Sequence, residues 1–331
     1  MADPTLQERV LPAATRVVAV GVFLLLVAGA MVTSTDSGLA VPDWPLSYGK
    51  VMPPMVGGIR FEHGHRLVAA FVSTLVGIEV ALLLWAEKRK WVRSLGFAAF
   101  GAILVQALLG GLTVLLLLPP AVSSAHAVLA EIVFALTAAI ALVTSRGYRD
   151  GSLFAAGPAD APGLDAALRA SKVAAGAILV QILLGAVMRH TAAGLAVPDF
   201  PLTFGRLLPD AAALARPGVA IHLSHRLGAA VVAVLVARAA ARIAPASSAS
   251  PLLATLGACW LGTVAAQLML GPLSIWSGKA PAVTVAHLAF GALCWVAGVL
   301  SCVVLARARS LAAPAAASAE AFDGAPARSA A

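Results

Sequence analysis

Apolar residues gather along this chain in eight long blocks, separated by short polar or proline-rich stretches. The blocks cover residues 14–34, 66–86, 94–118, 123–145, 170–190, 223–245, 251–273 and 282–306. A helix needs about 20 apolar residues to cross about 30 Å of hydrocarbon, and each block meets that length. The pattern predicts eight membrane-spanning helices. The first block is too long, and its flank too polar, for a cleaved signal peptide. Beyond Arg309 the chain turns to Ala, Ser and Pro, which predicts a disordered tail over 310–331.

Composition agrees. The 331 residues are 60% hydrophobic and only 11% charged, with a mean hydropathy of +0.93, which excludes a soluble protein of this size. The net charge of +8 is therefore a topology signal and no sign of a nucleic-acid partner. Lys88, Arg89, Lys90 and Arg93 lie between spans 2 and 3; Arg146, Arg149, Arg169 and Lys172 between spans 4 and 5; Arg307 and Arg309 after span 8. Basic loops stay inside, so both termini are expected on the cytoplasmic face of the cell membrane. The loops after spans 1 and 5 then face outward, although they carry Lys50, Arg60, Arg206 and Arg216.

Those two outer loops are nearly the same sequence. GLAVPDWPLSYG (38–49) returns as GLAVPDFPLTFG (194–205), differing only at Trp44/Phe200, Ser47/Thr203 and Tyr48/Phe204. The likeness continues at offsets of 160 and 161: HGHRLVAAFV (63–72) with LSHRLGAAVV (223–232), VQALLGGL (105–112) with AQLMLGPL (266–273), AHAVLA (125–130) with AHLAFG (286–291). The chain reads as two copies of a four-span unit. Four is even, so both copies enter the membrane from the same side as parallel repeats. The expected fold class is an all-α integral membrane protein, its eight transmembrane helices forming two parallel-repeat four-helix bundles. The halves are 1–150 and 151–309.

Duplication sorts the seven histidines. His65 pairs with His225, and His126 with His287, all at the outer heads of even-numbered spans. Each half thus offers two imidazoles from two helices at one level, which suits axial ligation of a heme iron. A lone interfacial histidine bonding a neighbour's carbonyl is the simpler alternative, but four at duplicated positions weigh against it. Zinc wants four ligands, or three and a water, and fits two histidines less well. Arg66 and Arg226 directly follow the ligand candidates. Each suits a heme propionate, or an ordinary interfacial anchor.

The halves differ in their carboxylates. Glu62, three residues before His65, is matched by His222; Glu79 is matched by Ala239, and Glu131 by Ala292. Carboxylates in lipid are costly and mark function by default, although Glu79 and Glu131 have a structural alternative in pairing with Gln106. One half reads as a reaction site and the other as a cofactor holder.

FEHGHR, AHAVLAEI, HLSHR, VAHLAFGA and the doubled loop resemble the heme A synthase family, over nearly all of residues 14–306. The resemblance implies oxidation of the C8 methyl of heme O to the formyl of heme A, for cytochrome c oxidase biogenesis. It implies a heme B cofactor between His225 and His287 with Arg226 beside it. The substrate heme then sits near His65, His126 and Arg66, with Glu62 as the catalytic acid. It further implies heme O synthase and an electron acceptor as partners and allows a homo-oligomer. Many relatives carry a cysteine pair in the first outer loop, about where Val41 and Ser47 stand here. This chain has only Cys259, Cys294 and Cys302, inside spans 7 and 8, so no disulfide is expected in that loop. Trp44 and Phe200 suit either a porphyrin face or the membrane interface. The alternative function is a diheme electron-transfer cytochrome, which predicts equivalent halves.

Overall fold

The computed structural model describes residues 6–155, 161–207 and 209–323. Eight long helices account for most of them: α1 (Leu6–Ser34), α2 (Ile59–Ala86), α3 (Lys90–Leu115), α4 (Pro120–Thr144), α5 (Ala161–His190), α6 (Pro217–Ala246), α7 (Pro251–Trp276) and α8 (Pro281–Asp323). All eight are long and apolar enough to cross a membrane. The chain is an all-α, multi-pass membrane protein.

Local chemistry sets where the helices begin and end. Pro120, Pro217 and Pro251 stand at the starts of α4, α6 and α7, where a missing N–H costs nothing. α3 stops at Leu115 because Leu117 and Leu118 turn to positive φ (59° and 60°), which a helix cannot continue. The helices extend past the apolar blocks, and the difference has a physical reason. Hydropathy omits the polar first turns, such as Arg60 to Arg66, yet these are helical, with Glu62 and His63 buried. The four paired histidines therefore lie inside their helices, roughly 9–12 Å from the first residue at 1.5 Å per residue. α8 runs on through the stretch expected to be an irregular tail, as far as Asp323; its alanines are the best helix formers. Residues 324–331 lie outside the described residues.

Each set of four helices packs as a ring. In the first, α1 meets α2, α2 meets α3, α3 meets α4, and α4 closes on α1; α5 to α8 repeat the order. The rings join through α4–α5, α1–α8 and α4–α8. Small residues let the backbones approach. A Cβ on Gly298 of α8 would stand 2.6 Å from the indole of the fully buried Trp260 on α7. Arg189, in the last turn of α5, ties the seam by donating to Ala30 O at 3.1 Å and Ser34 Oγ at 2.7 Å on α1.

Candidate functional site

The four paired histidines stand in the end of the bundle that carries the doubled loops. Each imidazole lies on a glycine of a neighbouring helix. A Cβ at Gly29 would be 3.0 Å from Cε1 of His65, at Gly110 3.1 Å from His126, at Gly185 3.0 Å from His225, and at Gly271 4.0 Å from His287. Gly29 and Gly185 are repeat equivalents, as are Gly110 and Gly271. The first three positions leave no room for a methyl beside an undisplaced ring. The fourth would accept one at ordinary contact.

Glutamines fix the same elements. Gln106 Nε2 donates to His126 O at 2.9 Å, Gln181 Nε2 to His225 O at 2.8 Å, and Gln267 Nε2 to His287 O at 2.5 Å. His126 Nδ1 lies 3.1 Å from Gln106 O, a carbonyl that can only accept, so this ring carries its proton on Nδ1, and its Nε2 accepts from Gln106 Nε2 at 3.4 Å. Nδ1 of His225 faces the Gln181 side chain at 3.0 Å. The facing atom is Gln181 Nε2, a donor, so Nδ1 accepts from it and the ring carries its proton on Nε2. Nδ1 of His65 and of His287 has no partner. Each pair thus has one ring held and one less constrained.

The rings of His225 and His287 stand face to edge with centroids 6.4 Å apart. Two metal–imidazole bonds of about 2 Å each, plus the span from each nitrogen to its ring centre, come to roughly 6 Å. The separation of the two ring centres matches that of two imidazoles sharing one metal. Among the described residues no three or more His, Cys, Asp or Glu gather as a metal cluster, so pairs are what each ring offers.

Above each pair the doubled loop is clasped by the arginine that follows the histidine. Arg66 Nη1 donates to Asp43 O (2.7 Å) and Leu46 O (2.8 Å), and Nη2 to Val41 O (3.4 Å). Arg226 repeats this with Leu202 O (3.1 Å), Val197 O (3.1 Å) and Asp199 O (2.7 Å). Both guanidiniums, expected from sequence to be free for a propionate or the interface, spend their Nη donors on loop carbonyls; Arg226 Nε alone is buried without a partner. Asp43 accepts from Tyr48 N (2.7 Å) and Gly49 N (2.8 Å), and Asp199 from Phe204 N (2.9 Å) and Gly205 N (2.7 Å). The glycine amides lead in holding both carboxyls below their usual range, although both groups are exposed. Trp44 folds onto Gly111 of α3, where a Cβ would be 2.7 Å from the indole. Phe200 stacks edge-on against Trp276 at 6.2 Å.

Glu62 and His222 prove to do one job in the two copies. Glu62 Oε2 accepts from Val41 N at 2.8 Å; His222 Nδ1 accepts from Val197 N at 3.3 Å. Glu62 adds a charge, since its Oε1 binds Arg66 Nη2 at 2.6 Å. The first ring has a further feature: buried His63 bonds Ser47 Oγ through Nδ1 at 2.8 Å, while its Nε2 has no partner. Leu223 and Thr203 stand at the equivalent places. Glu79 and Glu131 are buried in the first ring, with both oxygens of Glu79 and Oε2 of Glu131 unbonded. The sequence offered Gln106 as their partner, but its amide is committed to His126. The glycine cradles, the glutamines and the Ser47–His63 bond escaped the sequence reading; recurrence of glycine at the repeat offset was the available signal.

The described residues form a multi-pass membrane protein of eight long apolar helices, with His65, His126, His225 and His287 each set against a glycine of a neighbouring helix. Comparison with known proteins gives the family. The family described as cytochrome oxidase assembly protein, COX15-CtaA, matches residues 59–299. The heme A synthase of Symbiobacterium thermophilum is 33% identical over 222 residues, 65% of this chain and 69% of that protein. The heme A synthase of Geobacillus thermodenitrificans is 29% identical over 311 residues, 89% and 91% of the two chains. The chain belongs to the COX15-CtaA family of cytochrome oxidase assembly proteins.

Proposed function

We propose that this protein is a heme A synthase, an oxidoreductase that converts heme O to heme A by successive oxidation of the C8 methyl to a formyl group. The observation that carries the reading is the duplicated histidine cradle with one altered copy. Both copies hold their histidines against glycines of neighbouring helices, and only one has a carboxylate where the other has His222. His225 and His287 would hold a resident heme B, which when bound supplies an electron-transfer centre. Heme O, the substrate, would dock in the ring of α1–α4, with His65 and His126 beside its iron.

The chain's own groups then have distinct work. Arg66 and Glu62 pin the outer loop over the substrate site and exclude water from it. Each oxygen of Glu62 retains a lone pair beyond its present bond, so the carboxylate can accept a proton or face positive charge developing at the methyl. The apolar flank of the ring admits the farnesyl tail from lipid without a desolvation cost. The distribution of Lys and Arg supports the cytoplasmic membrane as location, with both termini inside. Hemes extracted from purified protein and identified by mass test the reading. Heme B together with heme O or heme A is the expected result. Heme B alone, in both sites, would instead make the protein an electron-transfer cytochrome.

A further inference from the structure

At the end of the bundle away from the doubled loops, the two rings together form a cleft of about 710 Å³. Its walls come from the start of α1, the α2–α3 turn, the one-turn helix Arg146–Arg149 and α8. Four cations line it, Lys88, Arg89, Arg149 and Arg307, against two acids, Glu8 and Glu87. Arg89 is satisfied: it binds Glu87 twice, at 3.0 and 2.7 Å, and donates to Val143 O at 2.7 Å. That bidentate pair, helped by the Arg89 amide, outweighs burial and keeps the Glu87 carboxyl below its usual range. The charge of Glu87 is therefore used up within the wall.

Lys88, Arg149 and Arg307 form no ion pair among the described residues. Moreover, Nε of Arg307 is buried and bonded to nothing. The tendency of inner loops to be basic explains why lysines and arginines occur here. It places them in water, however, and does not account for a guanidinium N–H shut into a concave wall without an acceptor, which costs free energy. With Arg89 and Glu87 paired, three cations stand against Glu8 in the lining, so the cleft carries an excess of positive charge that an anion would balance.

Depth identifies where that anion comes from. Trp91 lines the cleft and is 49% exposed, and Trp85, in the last turn of α2, is 50% exposed. Half-exposed indoles collect at the level of lipid headgroups. We propose that this cleft seats the phosphate of an anionic phospholipid, with Arg307, Arg149 and Lys88 as its cationic partners. Basic pockets between helices on this side of a membrane bind such headgroups, and guanidinium is the side chain best matched to phosphate oxygens. A lipid held there would contact both rings at once and brace the seam at the end opposite the Arg189 tie.

The full-length protein is reconstituted into phosphatidylcholine vesicles with and without phosphatidylglycerol, re-extracted in mild detergent, and weighed by native mass spectrometry. Wild type is expected to retain phosphatidylglycerol in preference to phosphatidylcholine. Each cation near an anionic surface is worth about fivefold, so the double variant Arg149→Gln/Arg307→Gln should retain on the order of 30-fold less. Arg169→Gln/Lys172→Gln, outside the cleft lining, should retain it as wild type does. Equal retention of the two lipids by wild type would overturn the proposal without any variant needing to fold. Equal retention by wild type and the cleft variant, with matched gel-filtration profiles, would also overturn it. A third arm adds inorganic phosphate to lipid-stripped protein. Phosphate adducts that vanish in the cleft variant, without lipid preference, would assign the cations to a soluble ligand and overturn the lipid assignment.

Discussion

The equivalence of Glu62 and His222 makes a sharp test of what the carboxylate is for. In Glu62→His the first ring receives the clasp that the second already uses, a ring nitrogen accepting from the loop amide. Glu62→Ala removes the acceptor of the Val41 amide and leaves the loop to Arg66, whose own charge partner is gone. A hydrogen bond to a charged group is worth roughly 1.5–3 kcal/mol, and the Val41 amide would be left buried without an acceptor. The partner Arg66, its side chain 15% exposed, would lose its neutralising charge as well. The alanine variant should therefore free the outer loop, giving faster proteolysis within 41–50, and abolish product. The histidine variant should keep the loop protected. If the carboxylate also acts on the reacting methyl, heme A formation should still fall by on the order of 10²–10⁴. The assay is the ratio of heme A to heme O, by mass, in cells that supply heme O, at matched protein level. Glu62→Gln, which retains an acceptor but no charge, should follow the histidine variant. Wild-type heme A from Glu62→His would refute the catalytic role, leave Glu62 a loop clasp, and direct attention to Glu131 and Glu79.

Three other predictions follow from the geometry. His225→Ala or His287→Ala should strip the low-spin heme spectrum from purified protein; Gly185→Ala, its Cβ 3.0 Å from the His225 ring, should push that ring and lower the heme content, whereas Gly271→Ala, its Cβ at an ordinary 4.0 Å contact, should keep it. Asp43 and Asp199 have folded pKa values lowered from 3.8, so their contribution to the loops is present above that value and lost as pH falls through the lowered ones. Amide exchange at Tyr48, Gly49, Phe204 and Gly205, corrected for its intrinsic pH dependence, should accelerate only on acidification below 3.8. Val51 is 76% exposed beside the outer loop, so Val51→Cys in a cysteine-free background should react with an impermeant thiol reagent on intact cells. Lys90→Cys should react only after lysis, and the reverse pattern would invert the assigned orientation.

Spans and repeat were legible in the sequence because lipid imposes a single rule along each helix, and because duplication leaves matching words at fixed offsets. His65, His126, His225 and His287 were singled out this way, and the rings of His225 and His287 stand 6.4 Å apart. Helix starts were missed by several residues, since the turns holding Glu62 and His63 are polar yet buried beneath the loop. The loop contacts of Arg66 and Arg226 were not legible for a related reason. Their partners are backbone carbonyls of Val41, Asp43, Val197 and Asp199, and no side-chain pattern announces a carbonyl. The same holds for Glu62, whose likeness to His222 lies in an amide that each accepts from, while their side chains share no chemistry. Gly29 and Gly185 were readable as a repeated glycine, but only packing reveals that an imidazole fills the space.

The most direct test of the central claim is conversion itself. The protein is expressed with a heme O synthase in cells that make no heme A, and extracted hemes are identified by mass. The account predicts a new species carrying a formyl in place of the C8 methyl, absent when His65 or His126 is replaced by Ala. Accumulation of heme O and heme B alone, with the wild-type protein present and loaded with heme, would contradict it.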